Sequence, residues 1–90
     1  MSRVQVYTTT NCPFCVRTKE LLRGKGVPFE EIDVTYDSAL REKMVLLAGG
    51  RRTVPEIFID GRLVGGYEEL RALDNTGQLQ ALIDRVADGG

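Results

Sequence analysis

The feature that most constrains the fold is a strand, helix, strand succession near the start of the chain. Val4, Val6 and Thr8 alternate with Gln5, Tyr7 and Thr9, the two-residue period of a strand, and a polar turn follows at residues 9–11. From Pro13 the spacing becomes helical, with Val16, Leu21 and Leu22 as the expected inward stripe. Pro13 suits the first helical position, where its missing N–H has no intrahelical partner in any case, and Gly24 and Gly26 end the helix. Residues 29–34 read as a second strand, with Ile32 and Val34 on one face and Phe29 on the other, as expected where helices cover both faces. A strand, helix, strand opening implies a right-handed crossover and a parallel strand pair.

The rest of the chain completes the pattern. Asp37 or Ser38 caps a second helix that turns Leu40, Met44, Val45 and Leu47 inward, and Gly49-Gly50 stops it. Arg51-Arg52 and Thr53-Val54-Pro55 lead into a short apolar strand at residues 57–59. Asp60-Gly61 before Leu63-Val64 marks a hairpin, because both central positions of a type I′ turn need positive φ. Gly65-Gly66 breaks the last strand. Two helical pieces then carry Leu70, Leu73, Leu79, Leu82, Ile83 and Val86, separated near residues 75–77. The order β-α-β-α-β-β-α-α predicts an α/β domain with a four-stranded mixed sheet flanked by helices on both faces. Ninety residues suffice for one such domain, spanning 1–90, with its core over about 4–87 and a short flexible tail at 88–90.

Composition narrows the function. Twelve basic against 13 acidic side chains leave a net charge of −1, which sets up no field to attract nucleic acid or an anionic membrane. Apolar runs such as residues 44–48 fall far short of the ~20 residues of a membrane span. The amino terminus enters a strand pattern with no signal-peptide succession, so a cytoplasmic location is expected. There is no His, which removes the commonest general base and any Cys-His pair.

The only cysteines are Cys12 and Cys15. A secreted fold stapled by disulfides would use more pairs and longer loops. Cys12 instead falls just past the carboxyl end of the first strand and at the amino end of the first helix, where reactive groups collect in open α/β sheets. Free N–H groups and the helix dipole stabilise a thiolate there, and a Cys-x-x-Cys arrangement lowers the thiol pKa from about 8.5 into a range of about 3.5 to 7.5. Lys19, two turns on, adds little. Cys12 is therefore the candidate nucleophile, and Cys15, one turn further and better shielded, the resolving thiol. Two rival readings are half of a zinc site and a pair of inert core cysteines. The first needs a dimer, since the chain offers neither His nor further Cys, and the second leaves Pro13 and the strand-to-helix position unexplained.

Three blocks make the chain resemble the glutaredoxins, thiol-disulfide oxidoreductases of the thioredoxin fold, over residues 4–86. They are Tyr7-Thr8 with Cys12-Pro13-Phe14-Cys15, Thr53-Val54-Pro55 with Ile57-Phe58-Ile59, and Gly65-Gly66-Tyr67-Glu68-Glu69-Leu70. The chain lacks the Trp and Gly-Pro of the thioredoxin active site, and it has Cys15 where monothiol glutaredoxins have Ser. The resemblance implies glutathione as co-substrate, with no tightly bound cofactor and no metal. It implies that Pro55 is cis and that the Val54 main chain pairs with the cysteinyl part of glutathione, with Thr53 flanking that contact. Gly65 and Gly66 would admit the ligand closely, the helix starting near Glu68 would receive the γ-glutamyl carboxylate, and Glu69 would accept from its ammonium. Arg51 and Arg52 are the candidates for the glycine carboxylate, Phe14 would shape the groove, and Tyr67 is expected to serve packing.

The chain departs from the family pattern at four places. Thr9 stands where Lys is common, Leu46-Leu47 where the family often has a polar or basic side chain, Phe14 where Tyr is more frequent, and Glu68-Glu69 where one acid is usually Asp. The implied mechanism reduces protein-glutathione mixed disulfides and protein disulfides, with glutathione reductase and NADPH regenerating glutathione. Glutathionylated and disulfide-containing proteins are the expected partners, ribonucleotide reductase among the candidates, and the chain is expected to be monomeric. The alternative is a dimer carrying a [2Fe-2S] cluster ligated by Cys12 thiolates and glutathione, which the stiffening Pro13 disfavours.

Overall fold

The alternating segment forms β1 (Val4–Thr8), followed by α1 (Pro13–Gly24), β2 (Glu30–Asp33), α2 (Ser38–Leu47), β3 (Glu56–Ile59), β4 (Arg62–Gly65), α3 (Tyr67–Asn75) and α4 (Gln78–Asp88). The computed structural model describes residues 3–88, with side chains over 3–84. The Val86 side chain and residues Gly89 and Gly90 of the expected tail lie outside the described residues, while Asp88 closes α4.

The strands form one sheet in the order β2-β1-β3-β4. β1 runs parallel to β2 and antiparallel to β3, and β3 is antiparallel to β4. The β3-β4 turn has Asp60 at φ 53° and Gly61 at φ 78°, the two positive values that the Asp-Gly pair predicts. Asp37 caps α2 by accepting from the Leu40 N–H at 3.0 Å.

Each sheet face has its own core. On one, Val4, Val6, Ile57 and Ile59 meet Leu22 of α1, Leu70 of α3 and Leu79 of α4. On the other, Tyr7 and Phe58 meet Val34 and Met44, Val45 and Ala48 at α2. Tyr7 and Phe58 stack edge to face, 5.5 Å between ring centres. The central strands are thus covered on both sides, and all four residues of β3 are buried, Glu56 included.

Two expected inward positions point outward instead. Val16 and Leu47 are each 51% exposed. On α1 the buried residues are Cys15, Thr18 and Leu22, a stripe whose phase follows Cys15 and leaves Val16 about 100° away from it. On α2 the stripe follows Met44, Val45 and the capping Ala48, so Leu46 and the terminal Leu47 face solvent.

Candidate active site

Cys12 is the N-cap of α1, with extended backbone angles and Pro13 as the first helical residue. Asn11, at φ 59°, makes the left-handed turn that brings the chain from β1 into this cap. Cys12 and Cys15 are joined as a disulfide across a Cα separation of 5.2 Å. Cys15 is 1% exposed and Cys12 half-buried, so an incoming group meets Cys12 first. The Cys15 N–H donates to the Cys12 sulfur at 3.1 Å, and the Val54 carbonyl oxygen lies 3.9 Å from that sulfur.

Among the described residues, no side-chain cation is seen bonded to either cysteine. The Lys19 ammonium sits 2.9 Å from the Glu31 carboxylate, which also accepts from the buried Thr8 hydroxyl at 2.9 Å. Partial burial pushes the Glu31 carboxyl up, but the bonds from Lys19 and Thr8 outweigh it and hold the group below its usual value. Lys19 is thereby committed to β2. Thiolate stabilisation at Cys12 is left to the main chain of α1.

Beside the disulfide, the Val54-Pro55 bond is cis. A groove of about 200 Å³ is lined by Phe14, Arg51, Thr53, Val54, Pro55, Gly66, Tyr67, Glu68 and Glu69. The structure therefore brings together eight of the ten residues expected to contact the co-substrate. Gly65 and Arg52 do not line it. Gly65 is buried at φ +123°, and a Cβ there would lie 2.5 Å from Glu69 Oε1, so it admits Glu69 at close range. A Cβ on Gly66 would lie 3.4 Å from the Pro55 carbonyl oxygen, which marks a close backbone approach. Arg52 turns away and pairs with Glu42 on the surface at 3.4 Å. Tyr67 packs as expected, its ring 6.0 Å from that of Phe14, and in doing so becomes part of the groove wall.

The far end of the groove carries the charges. Glu69 Oε1 accepts from the Gly66 N–H at 3.0 Å and from Arg51 Nη2 at 3.1 Å. The Gly66 N–H, reinforced by Arg51, holds the Glu69 carboxyl below the usual range. Arg51 Nε lies 3.6 Å from Glu56 Oε1. Glu56 is fully buried, and neither of its oxygens has a hydrogen-bond partner. Burial pushes its carboxyl up; Arg51 and Thr53 oppose the shift and Glu69 reinforces it. Nothing local in the sequence marks Glu56 as buried, because its burial comes from the elements packed on both faces of β3.

A sheet covered on both faces, with a cysteine pair closed as a disulfide at the first helix beside a cis-proline segment, places the molecule among thiol-disulfide oxidoreductases of thioredoxin-like fold. The comparisons with known proteins narrow that class. The glutaredoxin family model matches residues 4–64, and the chain belongs to the glutaredoxin family. It is 46% identical over 83 residues to glutaredoxin 3 of Escherichia coli, covering 92% of this chain and 99% of that one. A probable glutaredoxin of Synechocystis is 42% identical over 82 residues, covering 91% of this chain and 93% of that one. The crystal structure of a buckwheat glutaredoxin-glutathione complex superposes with a TM-score of 0.85 at 25% identity, covering 93% of this chain and 78% of that one. A Brucella melitensis glutaredoxin superposes at 0.79 with 43% identity, covering 92% and 89%.

Proposed function

We propose that the protein is a glutathione-dependent oxidoreductase that reduces glutathionylated and disulfide-containing proteins through Cys12 and Cys15. The supporting observation is the groove that meets Cys12 at Val54, whose carbonyl oxygen is 3.9 Å from the sulfur. That groove is lined by Thr53 and Val54, by the aromatic ring of Phe14, and by the Arg51-Glu69 pair for charged ends of a small peptide. The buckwheat structure is a complex with glutathione, in keeping with this reading.

In the reduced protein, the Cys12 thiolate receives the Cys15 N–H and attacks the glutathionyl sulfur of a mixed disulfide. The substrate sulfur leaves as a thiolate and takes a proton from solvent. A glutathione thiolate then attacks the glutathionyl sulfur on Cys12, releasing glutathione disulfide and restoring the Cys12 thiolate. For a protein disulfide, Cys12 forms the mixed disulfide, Cys15 displaces the substrate thiolate, and two glutathiones reduce the resulting Cys12-Cys15 bond. Glutathione reductase and NADPH complete the cycle. The test is NADPH consumption in a mixture of glutathione, glutathione reductase and a glutathionylated peptide. Consumption that depends on the protein is expected; none above the uncatalysed rate would refute the reading.

A further inference from the structure

Arg51 is shared by two carboxylates in unlike surroundings. Its Nη2 reaches Glu69, whose side chain is 44% exposed, and its Nε reaches Glu56, whose side chain is fully buried. Glu56 follows Pro55 directly and lies opposite Tyr7 of β1, so it sits immediately behind the segment that edges the groove. A buried carboxylate without hydrogen bonds depends on its nearest counter-ion, and that counter-ion is also the one cation among the described residues that lines the groove.

We propose that Glu56 is a positioning residue for Arg51: ionised, it draws the guanidinium away from a carboxylate of bound glutathione, and protonated, it releases it, so glutathione binding tightens as pH falls. The inference rests on the glutathione reading of the groove. The charged groups acting on Glu56 are Arg51, from the segment before β3, and Glu69, from the first turn of α3; Thr53 adds a polar group. From β1 the neighbour is Tyr7, whose phenol burial keeps neutral. Glu69, held low, stays ionised where Glu56, pushed up, takes its proton. When Glu56 takes its proton, the charge of the Arg51, Glu56 and Glu69 group goes from −1 to zero, and only one partner is left competing for Arg51.

The experiment measures binding of S-methylglutathione, which has no thiol to react with the cysteines, by calorimetry from about pH 5 to about pH 8. Wild type should bind more weakly as pH rises. Glu56→Gln should bind about threefold to tenfold more tightly than wild type at the highest pH of the series, the effect of removing one competing charge, and should show a flat pH profile. Arg51→Gln should bind more weakly than wild type with an equally flat profile, and this arm stands should Glu56→Gln fold poorly. A wild-type profile that is flat, a Glu56→Gln affinity no tighter than wild type, or a pH slope that survives in Arg51→Gln overturns the proposal while leaving the glutathione reading intact. Wild type that binds at no pH overturns both.

Discussion

The two ends of the groove are built from different materials. At the cysteine end the sulfur is held by main chain: the α1 cap, the Cys15 N–H and the Val54 carbonyl. At the other end the work falls to long side chains, with Arg51 strung between Glu69 and Glu56. Backbone placement is stiff and insensitive to surface substitution, so it suits the bond-exchange step, where reacting atoms must be aligned. Side-chain ion pairs are adjustable and respond to pH, so they suit the tuning of affinity.

Breaking the cysteine end should have the largest effect. Cys12→Ser removes the thiolate, and glutathione-coupled turnover should fall to background in the NADPH assay. Cys15→Ser should retain reduction of glutathionylated peptide and lose turnover of protein disulfides, because only the second needs the resolving thiol. Gly65→Ala comes next, since it strains a backbone at φ +123° and drives a methyl group into Glu69. It should cost about 1 to 3 kcal/mol, read as a lower midpoint in thermal unfolding.

Arg51→Ala and Arg52→Ala sharpen the contrast between adjacent residues. Arg51 lines the groove and Arg52 does not, so the first should raise KM for glutathionylated peptide about tenfold and the second less than about twofold. Stability against pH should show the smallest effect, with opposite signs at two glutamates. Glu31, lowered by folding, contributes stability above its unfolded pKa that is lost as pH falls through its folded value. After solvent screening that contribution is under about 1 kcal/mol, and Glu31→Gln should flatten the acid limb of a denaturation series accordingly. Glu56, raised by folding, works the other way: stability declines as pH rises through its folded pKa, and Glu56→Gln should remove that decline.

What the sequence discloses follows the same division. The strand and helix order, the Asp60-Gly61 turn and the placement of Cys12 at a helix cap all depend on residues near one another in the chain, and all are legible. The phase of a helix stripe is not, because tertiary contacts decide it: Thr18, not Val16, faces the core. Lys19 is drawn off by Glu31, a residue on another strand. Arg51 and Arg52 look alike in sequence, but their side chains follow Gly49 and Gly50 at φ 66° and 101°, and that irregular path sends one over the groove and the other to Glu42. Glu56 carries no local signal for the same reason: its burial is set by the neighbours of β3, all four of whose residues are buried.

The glutathione cycle turns on Cys12 as the acceptor of the glutathionyl group. Cys15→Ser, reduced and then exposed to glutathione disulfide, leaves Cys12 as the sole thiol, and peptide mass mapping reads its state directly. One glutathionyl adduct is expected on the peptide containing Cys12, removed by added glutathione. A peptide that stays unmodified, or an adduct that glutathione cannot remove, would contradict it.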